Sequence, residues 1–237
     1  MVNYGEAIRK PFTDLAKLVI GIVLTLIPIV HWIAKGFILE SSGMGKTKPS
    51  KTMPEWKNWG NLFVKGLLSD IILLIYAIPA IVVFIVGAEF RIMTLISGFL
   101  SSIITPELLG EMKTGEVSSE VISQIISQNW AMALPTLMTL APVILLAFIL
   151  LIIAFYLTPI AVLNYIKTNE FSEAFRLSIV LKKALTGKYF VVWIVTIIIT
   201  AIAVAILAFI PVLGLAIAIF VSGVIAYSLY GQIYRET

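Results

Sequence analysis

Long uncharged stretches alternate with short charged ones along this chain, and the spacing of the charges predicts its elements. Leu18 to Ala34 carries only His31, and Ile71 to Ala88 carries no charge. Val121 to Ile166 and Tyr189 to Tyr234 each run 46 residues without a charge. An ionised side chain at mid-bilayer costs about 2.5 to 3.5 kcal/mol, and one crossing takes about 20 helical residues. The last stretch therefore holds two crossings, with Pro211 and Gly214 supplying the turn between them. The pattern predicts five spans, at 18–39, 67–87, 135–157, 190–210 and 215–230.

Shorter apolar runs between the spans predict interfacial segments at 4–16, 90–105, 116–130 and 170–186. The run from Phe90 to Thr105 is short for a crossing and is bounded by Arg91 and Pro106. In the next segment Val117, Val121, Ile122, Ile125 and Ile126 fall at helical spacing against serines and glutamines, the pattern of an amphipathic surface helix ending at Trp130. Tyr4-Gly5-Glu6-Ala7-Ile8-Arg9 is echoed by Phe171-Ser172-Glu173-Ala174-Phe175-Arg176. Each precedes an apolar run and offers an aromatic face to lipid and an arginine to phosphate.

Composition sharpens this picture. Of 237 residues 60% are hydrophobic and 13% charged, against about a quarter charged in soluble domains, and the mean hydropathy is +1.05. An ordinary soluble enzyme is excluded, and the fold class is all-α, an integral membrane helical bundle in a single polytopic domain. The absence of cysteine removes disulfides, thiolate catalysis and cysteine metal sites. The net charge of +4 sits in short connecting segments and points to anionic lipid head groups, not to nucleic acid. With five spans, the connections bearing Lys46 to Lys65, Lys167 to Lys188 and Arg235 outweigh those bearing Arg9, Lys10, Lys17, Arg91 and Lys113. The positive-inside rule then places the C-terminus in the cytoplasm and the N-terminus opposite. A first segment bent back at Pro28 is the competing arrangement.

Candidate chemistry is sparse. Gly43-Met44-Gly45-Lys46-Thr47 has the end of a phosphate-binding loop, but Glu40 stands where that motif needs glycine, and Lys48-Pro49 follows where a helix should begin. His31 and Lys35 share a helix face, and Asp70 lies at the expected start of the second span, where a helix N-terminus favours an anion. These three are the candidate intramembrane polar residues; Lys35 and Lys65 are alternative partners for Asp70. Gly214, Ala218, Ser222 and Ala226 form a smooth stripe that lets a second helix approach closely, with Ala201, Ala205 and Ala208 in reply. Trp56, Trp59, Trp130 and Arg176 are the expected interfacial anchors. No metal or cofactor site is expected. Neither is a nucleophile and base pair, so the expectation is a protein that is not an enzyme.

The loop Met53-Pro54-Glu55-Trp56 resembles the Leu-Pro-x-Trp signature of a mainly archaeal membrane family known as a domain of unknown function, number four thousand and thirteen. Gly36-Phe37, Tyr156, Pro159, Glu173-Ala174-Phe175 and Gly231-Gln232-Ile233-Tyr234-Arg235 extend the likeness, with Met53 and Phe37 replacing the usual Leu and Tyr. The resemblance implies a multi-span topology and carries over no catalytic residue. The expected function is a structural or assembly component acting through helix packing and oligomerisation. A channel or carrier for a small solute or lipid is the alternative.

Overall fold

The computed structural model describes residues 2–44, 51–104, 106–114 and 118–236, so Gly45-Lys46-Thr47 lies outside the described residues. Nine α-helices are formed among them: α1 Tyr4–Arg9, α2 Leu15–Leu26, α3 His31–Glu40, α4 Trp59–Ile103, α5 Pro106–Thr114, α6 Ser119–Thr168, α7 Leu177–Ala184, α8 Gly187–Leu207 and α9 Leu213–Glu236. Short 3-10 turns cover Lys10–Thr13 and Phe171–Phe175. No strand is present among the described residues, and the fold is all-α. Four helices (α4, α6, α8 and α9) contain stretches long and apolar enough to cross a bilayer.

The chain divides into two units, one comprising the residues up to Tyr76 together with those from Ala154 onward, the other Ala77–Ile153. In the first, the expected span at 18–39 is two helices instead of one. Pro28 lacks an amide hydrogen and cannot continue α2, so the helix stops at Leu26 and the chain reverses through Ile29, whose φ is +68°. Both ends of the resulting hairpin lie together. Lys10 Nζ donates to the Ser41 carbonyl at 2.7 Å, and the Met53 amide donates to Thr13 Oγ1 at 3.3 Å. Hydropathy summed along the chain registers the apolar run but not its reversal.

That reversal also overturns the expectation that the two termini lie on opposite sides. The Asn3 amide donates to Gln232 Oε1 at 2.6 Å, so the start of the chain packs beside its end. Asn3 and Asp14 cap the first two helices, accepting from the amides of Glu6 and Lys17. The central element is α9, buried on most sides over its C-terminal half. On one side Phe220 and Val224 pack with Leu24, Phe37 and Ile38 of the hairpin. On another, Leu229 and Ile233 join Ile72, Ile160, Leu163 and Val180 in the main core.

The second unit contains α5 and the adjoining lengths of α4 and α6. The run 90–105 is expected as a separate interfacial piece, but α4 continues to Ile103. Arg91 donates to the Gly87 carbonyl one turn back, so its charge is held along the helix instead of ending it. Likewise the amphipathic stretch at 116–130, of which 116 and 117 lie outside the described residues, runs on into α6. At 45 and 50 residues, α4 and α6 are each about twice as long as the roughly 30 Å hydrocarbon layer requires. Within this unit Gly87 receives the side chain of Val143. Beside that contact lies an apolar cleft of about 440 Å³ lined by Val82, Val86, Pro142 and Leu146.

Candidate functional site

The candidate site is built where α3 crosses α4. The helices run antiparallel and meet backbone to backbone, because Gly36 faces the Leu62 carbonyl and Gly66 faces the Trp32 carbonyl. A side chain at either position would fill the seam. The approach brings two donors of α3 onto Asp70 of α4. Lys35 forms an ion pair with Oδ1, and the Trp32 indole N–H donates to Oδ2 at 2.9 Å.

Both carboxylate oxygens of Asp70 are therefore engaged by the hairpin. Helix α4 begins at Trp59, which leaves Asp70 about three turns inside it, so the expected role at a helix N-terminus does not hold. Lys35 is its partner, and Lys65 pairs instead with Glu40 near the opposite end of α3. His31 does not complete a triad with these groups; its ring lies 5.1 Å from that of Trp32, which meets Phe63 edge-on at 5.5 Å. Trp32 escaped the sequence reasoning, although it stands three residues from Lys35 and hence on the same helix face.

A second polar group lies at the open end of the hairpin. Glu40, Glu55, Lys57, Asn58, Asn61 and Lys65 line a cleft of about 350 Å³. Lys17 Nζ contacts Glu55 Oε1 at 2.7 Å and Asp14 Oδ2 at 3.4 Å. The hydrogen bond from Lys17 holds the Glu55 carboxyl below its ordinary value, and the same bond raises the Lys17 ammonium. Trp56 is half-buried, stacked on Phe37 at 3.8 Å with its indole nitrogen buried and unpaired. Trp59 and Trp130 remain exposed at 45% and 65%.

Hydroxyl and amide groups tie the connecting segments of this same end to the helices. Tyr76 donates to the Ala174 carbonyl at 2.8 Å, Tyr156 to that of Ala184 at 2.6 Å, and Asn164 to that of Glu173. Tyr234 donates to Asn164 Oδ1 at 2.6 Å. Lys183 donates to the Tyr234 carbonyl at 2.8 Å and stands 4.1 Å over its ring. Burial lowers the Lys183 ammonium, and the charges of Lys167 and Lys182 add to the effect. Arg176 pairs with Glu173 at 3.1 Å.

The small-residue stripe is used inside the chain. Gly214 abuts the Leu207 carbonyl, Ala218 and Ser222 are buried, and Ala226 packs on the main core. The answering face of α8 carries Val192, Thr196 and Ile199, with the Thr196 hydroxyl bonded to that of Tyr230. Ala201, Ala205 and Ala208 face outward. Among the described residues no three His, Cys, Asp or Glu side chains come together as a metal site.

Such a fold defines an all-α integral membrane protein whose polar groups bind its own helices together. A family model described as Protein of unknown function (DUF4013) matches residues 19–212, and the chain belongs to that family. No curated protein and no solved structure matches it.

Proposed function

We propose that this protein is a non-enzymatic membrane component that acts by packing against other protein in the bilayer, as an oligomer or as part of a larger assembly. The observation that carries the reading is the filled interior of the first unit. Ile72, Ile160, Leu163, Leu229 and Ile233 are fully buried there, and both oxygens of Asp70 are engaged by Lys35 and Trp32. A conduit for solute needs a polar path through the bundle; here side chains occupy that centre. Chemical crosslinking and mass measurement in nanodiscs test the proposal. Higher oligomers or a stoichiometric co-purifying protein are expected, and a monomer with no companion overturns it.

On this reading the surface used is not the α9 stripe, which the chain itself covers. The length of α4 and α6 beyond a single bilayer crossing supports a protein neighbour along them, since an apolar helix outside hydrocarbon needs cover. The C-terminus is assigned to the cytoplasm. Once the hairpin returns Lys10 to the Ser41 carbonyl and Lys17 to Glu55, the basic residues that flank the hairpin stand on the side where Arg235 meets Gly43, Lys35 within α3 excepted, as the positive-inside rule favours. The broken hairpin carrying Lys35 against Asp70 favours a second reading, a carrier for a small solute or lipid, because interrupted helices line many transport sites. Flux into liposomes that is abolished by Asp70→Asn would select it.

A further inference from the structure

The two hairpins of the first unit, α2 with α3 and α8 with α9, turn in the same way. Leu24, Ile27, Pro28, Ile29 and Val30 correspond in order and spacing to Leu207, Ile210, Pro211, Val212 and Leu213. The hydrogen bonds correspond as well. The amides of Ile27 and Ile210 donate to Leu24 and Leu207, those of Val30 and Leu213 to Pro28 and Pro211, and those of His31 and Gly214 to Ile27 and Ile210. At both turns the residue after proline has positive φ, +68° at Ile29 and +63° at Val212. Nine residues beyond each proline stands a phenylalanine, and these two, Phe37 and Phe220, stack on one another at 5.9 Å. The echoing segments Tyr4–Arg9 and Phe171–Arg176 precede the hairpins and bury their equivalent alanines, Ala7 and Ala174.

Positive φ in a β-branched residue is strained, and asparagine or glycine relieves it. This chain uses that remedy elsewhere: Gly43, Asn58 and Asn169 occupy its other positive-φ positions among the described residues, all in the polar connections. Only the two tips keep Ile and Val. Phe209, Val212 and Ile29 are exposed at 89%, 72% and 63%, and no charged or amide side chain lies in either turn. In water such a turn combines strain with exposed apolar surface. In hydrocarbon both choices are favoured: an amide side chain would be left unsolvated, and a proline together with a tight turn leaves few backbone N–H groups without a partner.

We propose that Ile27–Val30 and Ile210–Leu213 are two copies of one insertion device whose partner is the acyl-chain layer of the bilayer. Both hairpins enter from the basic face and return: the tip of the shorter α2–α3 hairpin ends inside the hydrocarbon, and that of α8–α9, whose 21-residue α8 is about as long as the layer is thick, ends among the acyl chains of the far leaflet. The natural chain has no cysteine, so single cysteines report position directly. Ile29→Cys, Val212→Cys and Phe209→Cys, with Lys57→Cys as the aqueous control, are reconstituted in liposomes and treated with a membrane-impermeant maleimide. Lys57→Cys is expected to label from one face, and the tip cysteines from neither until the membrane is dissolved. Spin labels at the tips should be relaxed by oxygen and not by a water-soluble nickel chelate. Labelling of either tip from the face opposite Lys57→Cys overturns the proposal. A second readout has opposite signs in the two solvents. In nanodiscs Ile29→Asn and Val212→Asn are expected to lower the melting temperature, whereas a rise at both, the response of an aqueous positive-φ turn, also refutes it.

Discussion

Replacing Gly36 or Gly66 with alanine tests the seam on which the candidate site depends. At each position a Cβ would come well under 3.0 Å from a backbone carbonyl of the facing helix, Leu62 or Trp32. A carbonyl within a helix cannot rotate away, so the helices must part by about 1 Å, which forfeits roughly a quarter to a half of the dispersion well for the atoms lining the seam. Overpacking typically costs about 1 to 3 kcal/mol, and loosened bonds to Asp70 add to that. Alanine returns up to about 1 kcal/mol through its helix propensity. The net expectation is a loss of about 1 to 3 kcal/mol for either variant, with less than additive loss when they are combined because they open the same seam. Equilibrium unfolding in mixed detergent and SDS micelles, followed by tryptophan fluorescence, measures it. Gly60→Ala is the control: nothing lies within 4 Å of its added carbon, and its stability should be unchanged or slightly raised. Gly36→Ala and Gly66→Ala that both unfold within about 0.5 kcal/mol of the natural protein would refute the backbone contact and the site built on it.

Other perturbations separate the contributions of the polar groups. Lys35→Met leaves Asp70 with only the Trp32 indole and should destabilise by about 2 to 3 kcal/mol, while adding Asp70→Leu should restore most of the loss in a double-mutant unfolding cycle; equal, additive losses would deny the coupling. The Lys17–Glu55 pair depends on pH at both ends. Glu55 is held below its ordinary 4.5, so its contribution is present above that value and is lost as the pH falls through the lowered one. Lys17 is raised above 10.5, so its contribution is lost as the pH rises through the raised value. Melting curves across pH should show a shallower acid limb for Glu55→Gln than for the natural chain. Tyr234→Phe leaves Asn164 Oδ1 without the phenol hydrogen and should cost about 1 to 3 kcal/mol, read as a lower melting temperature in nanodiscs.

Charge spacing makes the class of the fold legible, because the penalty for a charge in hydrocarbon acts on every residue independently of tertiary contacts. It misreads the first apolar stretch, where Pro28 permits either a kink or a reversal. What decides between them is distant: Lys10 at the Ser41 carbonyl, Gly21 receiving Phe220, and Gly36 under Leu62. The same limit applies at Asp70. Sequence alone names both Lys35 and Lys65 as partners, and the crossing of α3 on α4 divides them between Asp70 and Glu40. The stripe on α9 is visible in the sequence, but its answering face on α8 is not. Alanines at 201, 205 and 208 satisfy a rule of small size, whereas the packing face includes Thr196, whose hydroxyl finds Tyr230.

The residues that carry the family resemblance acquire a common physical role in the fold. Gly36 lets α3 reach the backbone of α4, and Gly231 lets α9 reach the Ser42 carbonyl. Arg235 donates to the Gly43 carbonyl, Tyr156 to that of Ala184, and the backbone of Glu173 and Ala174 accepts from Asn164 and Tyr76. Gly36 joins two helices and Tyr156 joins α6 to the short α7, while the others join a helix to a connecting segment, and every one of these contacts is made at a main-chain oxygen. Connecting segments have the least apolar area to bury, and hydrophobic burial holds them weakly. A hydroxyl, guanidinium or glycine at a fixed position supplies what they lack, and it tolerates little substitution because its partner is backbone. The lipid-facing positions need only remain apolar. The recognisable part of this sequence is therefore the fastening of the first unit's connecting segments, and the proposed packing role rests on the filled interior beneath them.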